Sequence, residues 1–253
     1  LKKLFIGLLV LSLSFLLTGC QSATTDGAFF HDYIVNPFVI LIHAIGSFFN
    51  ENYGLAIIII TLIVRLLLFP LMLSSYKKQQ AMRIKMEKVK PEMEQLQKRL
   101  KEAKSSEEQR NLQQEMMLLY KKHDINPFAM GCLPMIIQIP IWMGLYYAIN
   151  VSEDISTHSF LWFNLGEPNI IMAVLAGIAY FFQFKVSLIG IPPEQQGQMK
   201  FIGLLSPIFI LVISFSTPAA LPLYWTISGL FLIGQTYLLK KMYPMPNTAS
   251  SKE

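Results

Sequence analysis

The chain has 253 residues, of which 53% are hydrophobic and 15% charged, whereas a soluble domain carries about a quarter charged residues. With a mean hydropathy of +0.44, this composition argues against a cytosolic enzyme. The formal net charge of +5 is unevenly placed, because residues 76–124 hold 13 basic and 8 acidic side chains and so carry the whole excess. Averaged, a pI of about 9.1 would suggest nucleic acid. By position it suggests a membrane protein with one charged cytoplasmic insert and no DNA partner.

In chain order, Lys2 and Lys3 precede an apolar run, 4–17, that ends in Leu17-Thr18-Gly19-Cys20. These are the parts of a signal peptide, too short to span the bilayer comfortably. The cysteine after Leu-Thr-Gly resembles a bacterial lipobox, so 1–19 reads as a lipoprotein signal peptide and Cys20 as the lipidation site of an external N-terminus. The other cysteine is Cys132, so no disulfide or metal framework is expected. Segment 20–53 follows. Within it Phe30, Ile34, Phe38, Leu41, Ile45 and Phe49 recur at helical spacing, which predicts an amphipathic helix on the outer surface.

Apolar segments 54–75, 128–149, 169–187, 201–217 and 218–239 predict five transmembrane helices. The last two abut at Thr217-Pro218 and should form a tight hairpin. With the mature N-terminus outside, 20–53, 150–168 and the 217–218 turn contain six acidic residues and no Lys or Arg, while 18 basic residues fall inside. This is a positive-inside distribution, with the tail 240–253 cytoplasmic.

The insert 76–124 places Met86, Val89, Met93, Leu96, Leu100 and Ala103 on a coiled-coil-like seam. Ser105 with Glu108 fits a capping box for a second helix carrying Leu112, Met116 and Leu119 on one face. The segment reads as an antiparallel cytoplasmic helical hairpin, and Pro91 should kink its first helix or mark its start. Its basic excess suits an acidic partner such as ribosomal RNA, lipid headgroups or a protein.

Arg65 falls near the centre of the first span, where an arginine costs about 2.5–3.5 kcal/mol on insertion scales. No Asp or Glu lies inside any other predicted span. The guanidinium must then face water or neutral polar groups, with Gln138, Gln183, Trp225, Thr226 and Thr61 as candidates. The simplest arrangement is a wet cavity in the bundle with Arg65 as its positive centre. No P-loop, dinucleotide fingerprint or metal-spaced His/Cys cluster is present, so no cofactor, no metal and no enzymatic activity are expected. An anion channel or small-solute transporter using Arg65 as its selectivity charge is the alternative reading of these residues.

The first span with Arg65, the charged hairpin, and the run Asn126-Pro127-Phe128 … Gly131-Cys132-Leu133-Pro134 … Gln138-Ile139-Pro140 together resemble the YidC/Oxa/Alb membrane-insertase family, and the lipobox its Gram-positive, SpoIIIJ-type form. The resemblance implies an all-α membrane protein of the bacterial cell membrane, with five transmembrane helices around a hydrophilic groove. That groove is open to cytoplasm and lipid and closed to the outside. By position, Arg65 would be its positive centre and Gln138, Gln183 and Trp225 its wall residues. The implied partners are nascent membrane proteins and membrane lipids, with the Sec translocon, ribosome or targeting factors meeting 76–124.

Overall fold

The structure is a computed structural model and describes residues 27–125, 132–189 and 193–244. Cys20, the leader 1–19 and residues 126–131 of the quoted run lie outside the described residues. The described chain is mostly helical. A π-turn, His31–Val35, leads into α1 (Asn36–Phe48), followed by α2 (Tyr53–Glu102), α3 (Ser106–Lys122) and α4 (Cys132–Val151). A short α5 (Glu153–Ser156) and a two-stranded hairpin, β1 (Ser159–Phe160) with β2 (Phe163–Asn164), precede α6 (Ile170–Leu188), α7 (Pro193–Ser214) and α8 (Ala220–Met242). The small hairpin departs from the all-helical expectation. Two compact units divide the chain: Leu1–Leu67 with Gln138–Met242, and Leu68–Ile137 with Tyr243–Glu253.

In the first unit, α1 is helical as expected, and Phe30, Phe38 and Ile45 of the predicted stripe pack against the core. Its inward face holds Val35, Ile42 and Gly46, flanked by Phe38, Val39 and Ile45. Leu41 and Phe49, placed on the apolar stripe by sequence, are 46% and 44% exposed. The helix is apolar on most faces, so spacing alone does not select the stripe. Packing selects it, because Gly46 lies so close to Tyr53 that a Cβ there would stand 2.7 Å from the ring. A sharp turn follows with Asn50 and Glu51 at φ of 54° and 63°. The Asn52 side chain then accepts from the backbone N–H of Leu55 at 2.9 Å and starts α2.

The bundle is organised around α6. Asn169 caps its N-terminus by accepting from the N–H of Met172 at 3.1 Å, and Ala173, Ala176, Gly177 and Ala179 are buried along it. These small residues let neighbours approach. A Cβ on Gly177 would lie 3.0 Å from Leu211 of α7, and one on Gly229 of α8 would lie 3.1 Å from the Ala179 Cβ. The expected tight hairpin of the last two spans is therefore replaced. α7 and α8 touch each other little, and each packs along α6. Helix α7 also begins at Pro193 and ends at Ser214, earlier at both ends than 201–217.

Residues 152–169 form a plug at one end of this bundle. Ile155, Phe163 and Leu165 are buried in its core. The N–H groups of Ala219 and Ala220 donate to the carbonyls of Glu167 and Leu165 at 2.9 and 3.0 Å, which pins the turn before α8. Apolar side chains elsewhere face outward, including Leu66 and Leu67 on α2 and Ile170, Ile171 and Phe182 on α6. Among the described residues, α2 and α6 are long and apolar enough to cross a membrane. Exposed apolar surface on this scale fits a lipid environment.

The second unit has its own small core. Val89, Met93, Leu119 and Ile125 are buried, with Met82, Met86, Leu96, Met116 and Tyr120 packed against them. Ser105 accepts from the N–H of Glu108 at 3.1 Å, while the Glu108 carboxylate accepts from the N–H of Lys104, one residue before the capping position. Lys85 pairs with Asp124 at 2.7 Å and Arg99 with Glu115 at 3.1 Å. Pro91 neither starts nor ends a helix. It lies inside α2, which runs unbroken from the first predicted span into the first arm of the insert. The junction is carried by side chains one turn apart: Gln79 donates to the Ser75 hydroxyl at 3.2 Å and Gln80 to the Tyr76 hydroxyl at 2.7 Å.

Candidate functional site

Arg65 lies on α2 about 18 Å from its start at Tyr53, at 1.5 Å of rise per residue. In a span of about 30 Å of hydrocarbon that begins there, the guanidinium would fall near the middle. The side chain is 7% exposed. Among the described residues it makes no ion pair or hydrogen bond.

The neutral groups proposed for it divide into two sets. Thr61 donates to the Ile57 carbonyl at 2.7 Å and Thr226 to the Pro222 carbonyl at 2.7 Å, so both hydroxyl protons are spent on their own helices. Gln138 of α4 instead donates its amide to the Tyr224 hydroxyl of α8. That bond leaves the Gln138 amide oxygen and a lone pair on Tyr224 as acceptors. Trp225, next to Tyr224, is buried and its ring lies 6.0 Å from that of Trp142 on α4, tilted by 44°. Gln183 is half-buried on α6, three residues beyond Tyr180.

Four residues here were not singled out from sequence, the first being Tyr224, the acceptor of the Gln138 bond. Tyr180 of α6 is within electrostatic reach of both Arg65 and Tyr224. The Trp142 indole N–H and the Ser228 hydroxyl are buried without a hydrogen-bond partner. Tyrosine and tryptophan read as apolar packing in a hydropathy profile, although their polar tips need partners once buried. The signal available was the cluster of such tips at Trp142, Tyr180, Tyr224 and Trp225.

Side chains from α2, α4, α6 and α8 therefore bring a buried cation together with neutral donors and acceptors. No carboxylate balances it among the described residues, and no group of His, Cys, Asp or Glu there could hold a metal ion. A buried cation among neutral polar groups is electrostatically suited to an anionic group.

A family model described as 60Kd inner membrane protein matches residues 44–247. The chain is 51% identical over 245 residues to membrane protein insertase YidC 2 of Listeria monocytogenes, covering 96% of this chain and 89% of that one. The chain belongs to the YidC insertase family. It is also 43% identical to membrane protein insertase MisCB of Bacillus subtilis, over 90% of this chain and 86% of the relative. A crystal structure of an active YidC insertase with its first transmembrane domain resolved matches with a TM-score of 0.58 and 26% identity. That match covers 82% of this chain and 46% of the other, so this YidC relative spans less than half of the solved chain.

Proposed function

We propose that the chain inserts nascent membrane proteins into the bacterial cell membrane through a hydrophilic groove centred on Arg65. The observation that carries this reading is the buried guanidinium, unbalanced by any described carboxylate, with Tyr180 in electrostatic reach both of it and of Tyr224, the acceptor of the Gln138 amide. In this reading α2, α4, α6, α7 and α8 cross the membrane. Gln138 of α4 and Tyr224 of α8, joined by their hydrogen bond, are the polar groups this reading turns to the groove. The end holding Glu153, Asp154 and Glu167 faces outside, where Cys20 carries its lipid. The 76–124 hairpin faces the cytoplasm and receives substrates from ribosome or targeting factors, with or without the Sec translocon.

Magnitudes favour transient capture. A carboxylate at about 4 Å from a guanidinium gains about 4 kcal/mol at an effective dielectric of 20. This offsets the cost of about 2.5–3.5 kcal/mol for one acidic residue at bilayer depth. Release follows because each Leu or Ile of the substrate span gains about 1.5–3 kcal/mol on leaving water. A few such residues outweigh the contact at Arg65, and no nucleotide is required.

Purified protein in liposomes tests this with a single-span substrate bearing an acidic external tail. Arg65→Ala is expected to slow insertion about tenfold, the effect of about 1.4 kcal/mol on the barrier. Arg65→Lys should retain most of the rate and Arg65→Glu should fall below Ala. Wild-type rates with Arg65→Glu would sink electrostatic capture, and anion flux without insertion would favour a channel.

A further inference from the structure

The turn between β1 and β2 carries residues poorly suited to its backbone. Pairing of Ser159 with Asn164 and of Phe160 with Phe163 makes Leu161 and Trp162 the two central residues of a tight hairpin. Leu161 has a φ of 57°, in the left-handed region where such turns use Gly, Asn or Asp. A leucine is strained there, and its side chain is 73% exposed, so no packing within the protein offsets the strain. Trp162 beside it is 53% exposed.

The backbone around the tip is held firmly. The Phe160 and Phe163 rings meet edge-on at 5.8 Å, and Phe160 covers Gly54 so closely that a Cβ there would stand 2.1 Å from its ring. Asn164 donates to the Thr157 carbonyl at 3.2 Å, and the Leu165 N–H donates to the His158 carbonyl at 3.0 Å. A rigid mount that presents a strained apolar pair to the exterior points to a function outside the fold.

The neighbouring surface identifies the occupant. Directly after the plug, α6 opens with exposed Ile170 and Ile171 and continues outward-facing through Val174, Ile178 and Phe182. That helix is long and apolar enough to cross a membrane, and the exposed apolar tip stands eight residues before it in the chain. Exposed Glu153, Asp154 and Glu167 at the same end resist entry into hydrocarbon. Tryptophan favours the headgroup level, where its ring is buried and its N–H is wet.

We propose that Leu161-Trp162 is an interfacial anchor, seated at the boundary between headgroups and acyl chains, that fixes the depth of the bundle in the bilayer. No Lys or Arg lies in 150–168, so the anchor takes lipid of any headgroup charge.

The test compares the full chain with its Trp162→Phe variant in phosphatidylcholine vesicles brominated high or low on the acyl chain. The emission difference isolates Trp162. It should be quenched severalfold more by the high bromines than by the low ones, and equally when phosphatidylglycerol is added. A Trp162 signal blind to bromine and freely quenched by aqueous iodide would overturn the anchor in favour of water. Dependence on acidic lipid would overturn its charge indifference. Leu161→Asn supplies the second arm, because asparagine suits the backbone. It should keep or raise the melting temperature in detergent while weakening the Trp162 lipid quenching. A lower melting temperature with unchanged quenching would assign Leu161 to the fold and reject the anchor.

Discussion

At the scale of single residues, the Gln138–Tyr224 hydrogen bond separates structural from functional contributions to the groove. Tyr224→Phe leaves the Gln138 amide without its acceptor, and an unmet buried polar group costs about 1–3 kcal/mol. The expected result is a lower unfolding midpoint in detergent. Removing both partners with Gln138→Leu and Tyr224→Phe should recover most of that loss, since two apolar groups leave nothing unpaired. If these groups wall the proposed groove, insertion of acidic-tailed substrates should stay impaired in the double variant, because the polar tips are gone. Recovery of stability and insertion together would reduce the pair to a packing element. Arg65 stands out in the sequence because a lone charge in an apolar run is costly, although the same residue also suits an anion channel or transporter. Tyr180 and Trp142 were not legible there, because their polar atoms matter only once three-dimensional packing has buried them.

At the scale of elements, helix α2 shows why boundaries drawn from hydropathy can miss backbone continuity. Apolar Leu71–Leu73-like character gives way to Tyr76-Lys77-Lys78, but no breaker lies between, and the Gln79 and Gln80 side-chain bonds support the helix across the change. Helix α1 shows a period seen in the sequence whose stripe the fold divides, Phe38 and Ile45 packing on the core while Leu41 and Phe49 stay exposed. In the insert, Asp124 has its carboxyl held below the ordinary value of 3.8, first by the hydrogen bond from Lys85 and then by that ammonium's charge. A depressed carboxylate favours the folded state above its ordinary pKa, and that contribution is lost as pH falls through the lower folded value. The closing turn should therefore be intact at neutral pH and loosen only under acid. Asp124→Asn should remove the pH dependence while keeping the left-handed backbone at φ 51°, because asparagine tolerates that conformation. Hydrogen exchange at the Ile125 N–H, which donates to the Tyr120 carbonyl at 2.8 Å, reads the effect. Acid-dependent exchange that persists in Asp124→Asn would place the sensitivity elsewhere.

At the scale of the whole molecule, the charge distribution and the division of cores follow the same line. The basic excess that dominates the composition lies in 76–124, and Arg65 is a separate cation in the other unit. The core around Ile42, Ile57, Leu145 and Trp225 draws no residue from the hairpin, whose own core is Val89, Met93, Leu119 and Ile125. Two clusters without a common member can lose stability independently. Replacing 80–120 with a short Gly/Ser turn should therefore leave the bundle's melting transition within a few degrees of the parent in detergent. If the hairpin receives substrates, the same variant should insert poorly in liposomes even with Arg65 and its polar neighbours intact. Adding the isolated hairpin as a peptide should not restore the rate, because a receiving arm works at the high local concentration that tethering gives it. Full insertion by the shortened chain would reduce 76–124 to a connector. A collapse of the melting transition would show that the two cores stand or fall together.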